Sequence, residues 1–399
     1  MRSKCDVLII GAGVVGLSTG IALLESKPNR KVLIADKESE LALHASGRNS
    51  GVLHAGFYYS PESLKAKFCR DGNREIRLLA KENSIPIQEV GKVVVARNED
   101  ELARLQLLFE RGIINGVDLE ILEESRLAKF EPLAVTNEKF IWSPTTAVTD
   151  PKAITKALYE KFISLGGRVE FDSGVTLKIS DEEILDSSGT YESQFFINAA
   201  GVQADRISRK VGVGNEYAML PFIGVYRSVD LGHLPLTRLV YPVPHPLNPF
   251  LGVHFTLTTN QKVKIGPTAI PILGREQYSL FQGWSGSDVA QSLKAIKSLI
   301  RGDSHDFIEI IKTEWPKVME RSLVKESLEL VPCASKVRCW EKRPPGIRAQ
   351  LVHLPTGRLE QDFVVTEKLN SIHVLNSVSP GWTSAIPFGR FVASKLLEK

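Results

Sequence analysis

The chain has 399 residues, 43% of them hydrophobic and 24% charged, with a formal net charge of +4. This is the composition of an ordinary soluble globular protein, long enough for a large core and two closely joined domains. The charge is too small to argue for nucleic acid, and no apolar run of about eighteen residues reads as a membrane span. The first strand starts almost at once, leaving no room for a signal or transit peptide, so the cytoplasm is the expected compartment. Cys5, Cys69, Cys333 and Cys339 are scattered and match no zinc or C-x-x-C spacing; they read as buried or incidental thiols. The histidines are equally dispersed, so no metal is implied.

An apolar strand over 6–10 runs into Gly11-Ala12-Gly13-Val14-Val15-Gly16, a helix is expected over 14–25, a strand over 31–35, and Asp36 follows. A G-x-G-x-x-G string in this strand-helix-strand context is a dinucleotide turn. Gly11 permits the tight turn, Gly13 lets the backbone approach a pyrophosphate, and Gly16 allows the helix to pack on the strand. The free N–H groups of the helix start attract the anion, and Asp36 is placed to accept a hydrogen bond from a ribose hydroxyl. The polar loop that follows carries His44, Ser46, Arg48, Asn49, Ser50 and His54. Such a loop lays N–H groups and hydroxyls along an extended cofactor and favours FAD over NAD.

Helices are expected over 62–81 and 99–115, with a strand at 91–96 between them. Asp150-Pro151 reads as the cap and first position of another helix, which closes at Gly166-Gly167. A strand at 168–171, a polar hairpin-like region at 175–190 and a buried strand at 193–198 lead to Asn198-Ala199-Ala200-Gly201, where small residues again allow close backbone approach. From 219 to 271 short β-rich runs are broken repeatedly by proline, which suits an antiparallel sheet forming a pocket wall. Residues 287–301 and 304–330 read as basic helices that either cap that sheet or touch a partner, an anionic membrane surface among them. Strands at 362–366 and 372–375 precede Ser379-Pro380-Gly381-Trp382-Thr383-Ser384 and a last helix over 385–398.

Four blocks make the chain resemble a known family: HASGRNSGVLHAGFYYSPESLKAK at 44–67, YPVPHPLNPFLGVHFT at 241–256, GIRAQ at 346–350 and HVLNSVSPGWTSA at 373–385. With the glycine turn they span nearly the whole chain in order and resemble the FAD-dependent oxidoreductases of the D-amino-acid-oxidase type, more narrowly the L-2-hydroxyglutarate dehydrogenases and oxidases. Arg48 stands where that pattern has His, Ile223 and Val225 replace an Arg and an acidic residue, and Gly381-Trp382 replaces two small residues. The resemblance implies an α/β fold: a Rossmann-like FAD-binding domain of the glutathione-reductase type, discontinuous over 1–85, 145–215 and 341–399. A substrate domain of antiparallel sheet plus helices, 86–144 and 216–340, is inserted into it.

Oxidising a 2-hydroxy acid needs a hydride acceptor, a base for the hydroxyl proton and a grip on the carboxylate. The resemblance assigns the carboxylate to Arg348, whose guanidinium forks onto two oxygens. His54 is the preferred base because imidazole titrates near working pH, with His254 the alternative or a second substrate contact. Tyr59 and Tyr241 are either hydroxyl donors or packing, and Lys65 either meets a distal carboxylate or is solvated. Ser46, Arg48, Asn49, Ser50, Gly201, Gly381, Thr383 and Ser384 join Gly11, Gly13, Gly16 and Asp36 as expected cofactor contacts. The start of the last helix points its positive end at the flavin. The substrate is then a small carboxylate, most readily L-2-hydroxyglutarate. An amino acid or a secondary amine such as sarcosine is the alternative, and an NAD enzyme or a non-catalytic flavoprotein the more distant ones. The electron acceptor is oxygen, a quinone or a carrier protein.

Overall fold

The computed structural model describes residues 3–180, 183–245, 250–279, 282–302 and 304–398. Residues 246–249, inside the 241–256 block, lie outside the described residues. Strand β1 (Ser3–Ile10) turns at Gly11 into helix α1 (Val14–Ser26), which leads to strand β2 (Val32–Ala35). These open a six-stranded sheet in the order Val364–Lys368, Ser371–Asn376, Tyr191–Asn198, β1, β2, Arg168–Glu170. All neighbours are parallel except the first pair.

A parallel sheet must be covered on both faces, so its central strand reads as an unbroken apolar run. In β1, Val7 and Ile9 point to one face, where α1, Pro151–Ser164 and Ala385–Leu397 supply Leu17, Ile21, Leu158, Phe162, Phe388 and Val392. Leu8 and Ile10 point to the other, against Leu177 and Ile184 of a two-stranded hairpin and Ile207 of helix Ala204–Lys210. The helix at 151 starts as its sequence implies: the Asp150 carboxylate accepts from the Lys152 and Ala153 N–H groups, with Pro151 behind it.

An eight-stranded sheet forms the second layer, in the order Glu341–Lys342, Arg227–Asp230, Lys262–Gly266, His254–Leu257, Leu239–Pro242, Lys92–Val95, Lys139–Ser143, Glu120–Glu123. It is antiparallel except where Lys92–Val95 and Leu239–Pro242 run parallel, a pairing of two chain segments far apart in sequence. A four-stranded sheet joins Ile270–Pro271, Tyr217–Gly224, Gly346–His353 and Arg358–Leu359. Strand Gly346–His353 therefore pairs with Tyr217–Gly224, across the division that the sequence draws between 340 and 341.

The run read as one helix over 304–330 is broken. It consists of Ser304–Glu314, a tight 3-10 turn Trp315–Val318 and Glu320–Ser327, because Pro316 has no N–H to continue the ladder. Among the described residues no helix is long and apolar enough to cross a membrane.

His373, fully buried on strand Ser371–Asn376, is held neutral by its neighbours. The Asn198 amide contacts its Nδ1 at 3.2 Å and Ser371 Oγ its Nε2 at 2.8 Å, and burial lowers its pKa to about 4. Above about pH 6.5 both folded and unfolded chains carry this ring neutral. As pH falls from there towards 4, only the unfolded chain takes up the proton, so stability is lost across that window, on the order of 3 kcal/mol from this residue. Thermal unfolding followed from pH 7 to 4.5 is expected to show that loss, and His373→Asn to make it shallower.

Candidate active site

One cavity of about 1380 Å³ runs between the sheets and is lined from Asp36 and Gly11 at one end to His254 and Arg348 at the other. At the first end Gly11 has φ +109° and its absent Cβ would sit 2.6 Å from the Ala199 carbonyl oxygen, so the turn admits no side chain. Gly16 lies outside the cavity wall and packs: a Cβ there would be 2.0 Å from the Gly11 carbonyl. Gly13 lines the cavity as the N-cap of α1, whose first turn has no acidic residue, so the helix's positive end is left for a ligand. Ser46 reaches across the loop, its Oγ accepting from the Val14 N–H at 3.1 Å. The Asp36 carboxylate lines the cavity and accepts from Ala12 N at 2.7 Å and Glu38 N at 2.9 Å, which leaves lone pairs on both oxygens.

The loop after Asp36 is shaped by its own side chains. Asn49, in the cavity wall, donates to the Ala45 and Ser46 carbonyls and accepts from Gly51 N, so its amide builds the loop. Arg48 donates to the Leu43 carbonyl at 2.6 Å and lies 4.2 Å over the Tyr278 ring, its guanidinium used for packing the cavity rim. Ser50 lines the cavity, and its Oγ accepts from Val52 N at 3.4 Å. Glu38, His44 and Glu276 bring three potential metal ligands within 4.8 Å of one another. The Lys37 ammonium already bridges both carboxylates, and His44 Nε2 is 2.8 Å from Glu38.

At the other end His54 is buried, lines the cavity, and has Nδ1 enclosed without a hydrogen-bond partner, so Nε2 is the nitrogen open to the cavity. Burial, then Lys92 and His254, hold its pKa well below the usual value. His254 is stacked on Tyr241 with ring centroids 3.8 Å apart and donates from Nδ1 to the Gly252 carbonyl at 2.7 Å. That bond fixes the tautomer and leaves Nε2 a lone-pair acceptor, while burial lowers the pKa to about 3. Arg348 stands on Gly346–His353, 5.3 Å over the Phe250 ring, with one N–H on the Thr268 carbonyl at 2.9 Å. Among the described residues no carboxylate pairs with it.

Gly201, Gly381 and Thr383 line the cavity, but Ser384 does not; its Oγ is enclosed without a partner as the N-cap of the last helix. Thr383 spends its hydroxyl on the Val52 carbonyl at 3.2 Å and accepts from His54 N at 3.4 Å. What this segment offers a ligand is therefore backbone and an uncapped helix start with no acid in its first turn.

The family model for FAD dependent oxidoreductases matches residues 6–395. The chain belongs to that family. Its relatives include the mitochondrial L-2-hydroxyglutarate dehydrogenase of Caenorhabditis briggsae, 35% identical over 99% of this chain and 94% of that protein. The L-2-hydroxyglutarate dehydrogenase of Escherichia coli K12 is 33% identical over 98% and 93%. Among solved structures, the FAD-bound L-alpha-glycerophosphate oxidase of Mycoplasma pneumoniae superposes over the whole chain and 96% of its own, with a TM-score of 0.77 at 23% identity, a likeness of fold. As a member of this family the protein is an FAD-dependent oxidoreductase. The residues present fit the cofactor: a side-chain-free turn against a helix start with no acid in its first turn, lining one cavity of about 1380 Å³.

Sequence reasoning weighs Lys65 as either solvated or facing a distal carboxylate, and misses Lys92. Lys65 is not a solvated helix residue: it is buried, lines the cavity, and burial lowers its pKa to about 8. Lys92 is wholly buried among valines on Lys92–Val95, and the signal was there, a lone lysine in an apolar strand run. Substituting Gly13→Val places a branched side chain toward Ser46, 3.1 Å from the Cβ position, and into the anion cradle. The purified variant is expected to keep its far-UV circular dichroism and lose most of its flavin absorbance per chain.

Proposed function

We propose that the protein oxidises L-2-hydroxyglutarate, or a closely similar 2-hydroxy dicarboxylate, to the 2-oxo acid. The observation that carries this reading is an unpaired Arg348 guanidinium in the same cavity as two neutral imidazoles, His54 and His254. The two relatives named above, both L-2-hydroxyglutarate dehydrogenases, support the substrate. Pyrophosphate binding falls to the Gly11–Gly13 turn and Ser46, the ribose to Asp36, and the ring system to the backbone of Gly381–Thr383 and the start of the last helix. Bound FAD supplies the acceptor for the two electrons that leave C2 with its hydrogen.

Arg348 grips the carboxylate next to C2, and its planar fork fixes the direction in which the C2–H bond points. The hydroxyl proton passes to His54 Nε2, an imidazole that burial keeps unprotonated and ready to accept it. One proton and one hydride leave, and the C–O single bond becomes the carbonyl of the product. His254 is the second reading for the base, favoured by the bond that aims its Nε2 lone pair away from Gly252. The departures at Ile223 and Val225 bear less on the substrate than their motif suggests, since Gly224 and Tyr226 line the cavity and they do not.

The electron acceptor is oxygen, a quinone or a carrier protein. Trp315, Val318 and Met319 stand exposed near the exposed Lys312 and Arg321, a mixture suited to peripheral contact with an anionic membrane surface.

Anaerobic mixing is expected to bleach the flavin with L-2-hydroxyglutarate and not with sarcosine or amino acids; the reverse pattern overturns the substrate. Arg348→Ala should lower kcat/KM on the order of 100-fold, largely through KM. His54→Asn should slow flavin reduction by about 100-fold or more at saturating substrate, and a larger loss in His254→Asn transfers the base to that residue.

A further inference from the structure

The cavity wall at His54 and His254 has a charge behind it. Lys92 Nζ has no hydrogen-bond partner and sits 4.6 Å from the Phe57 ring centroid, 4.5 Å from Tyr58 and 4.6 Å from Tyr241. Tyr58, Tyr241, His54 and His254 all line the cavity, and Lys92 does not, so the ammonium lies one side chain back from any substrate. Aromatic faces stabilise a cation without supplying a counter-charge. The neighbouring Cys69 thiol is held protonated by burial and donates to the His54 carbonyl at 3.4 Å, so it supplies none either.

We propose that Lys92, caged by three aromatic rings with no anion beside it among the described residues, is a positioning residue that makes proton uptake by the active-site imidazoles conditional on an anionic substrate. This rests on the function proposed above. His54 feels the charges of Lys92 and His254, and His254 those of Lys92 and Arg348. The tyrosines nearby, 58, 59 and 241, stay neutral because burial raises their pKa values. Among the described residues, the charged side chains that act on the imidazoles are therefore cations, which disfavours their protonation. A bound dicarboxylate cancels that potential and restores the proton affinity that the base needs. Burial brings Lys92 itself to a pKa of about 7, so its charge, and with it the attraction for the substrate, weakens above neutrality.

The variant Lys92→Met keeps the length and removes the charge. With flavin retained, the acid limb of kcat/KM is expected to move up by about one pH unit, since removing a cation raises an imidazole's pKa. KM for the hydroxy diacid is expected to rise about tenfold and more than kcat falls. An unmoved acid limb in flavin-loaded Lys92→Met overturns the proposal. If that variant does not fold, histidine-labelled wild-type holoprotein decides by NMR: a His54 titration that moves to higher pH when a non-reducing dicarboxylate is added supports the proposal, and one that the dicarboxylate leaves unmoved overturns it. The NMR arm needs no turnover, so failure of L-2-hydroxyglutarate to reduce the flavin refutes the substrate and not the role of Lys92.

Discussion

The site depends on how closely helix Leu64–Glu82 approaches the segment before the last helix. At Gly72 a Cβ would lie 2.0 Å from the Thr383 carbonyl oxygen, so only glycine lets the two backbones meet. Around that contact the same helix holds the histidine loop, with Cys69 and Asn73 both donating to the His54 carbonyl. Thr383 completes the seam from the other side through Val52 and the His54 N–H. Two segments, the nearby helix and the distant Thr383, thus fix the backbone of one residue, and the imidazole inherits their rigidity.

The treatment of buried charge separates the histidine end of the cavity from the other buried cations. Arg275, buried in another part of the cavity wall, has both its amino groups on Asp205, a further contact to Asp288 and another to Gln291. Lys317 is likewise buried between Glu314 and Glu326. Those cations are compensated, as buried charges must be in a stable interior. Lys92 has aromatic faces in place of an anion, and Arg348 a ring and a single carbonyl. An uncompensated positive interior costs stability in the free protein and is relieved when an anion enters, which is the physical basis for recognising a carboxylate.

Much of this was legible in the chain. The glycine turn, the apolar run of the first strand and the cap at Asp150-Pro151 act through their immediate neighbours, and local spacing reveals such features. His54, His254 and Arg348 stood out because their chemistry is scarce and their motifs distinctive. Lys92 did not, and Lys65 only as one of two readings, because a lysine's default is solvent and only packing from other segments removes it. For Asn49 and Ser384 the difficulty is of the same kind: whether a polar side chain serves a ligand or its own loop depends on bonds that spacing does not display.

The sequence by itself determined the cofactor class, the dinucleotide turn and the residues with the right chemistry, since these follow from backbone conformation and side-chain type. Tertiary structure alone decided which groups share one cavity, which imidazoles are neutral, and that a lysine from a strand of the second sheet stands behind them. Burial and Coulomb interaction depend on distances in space, and Lys92, His54 and His254 become neighbours only when strands far apart in the chain have paired.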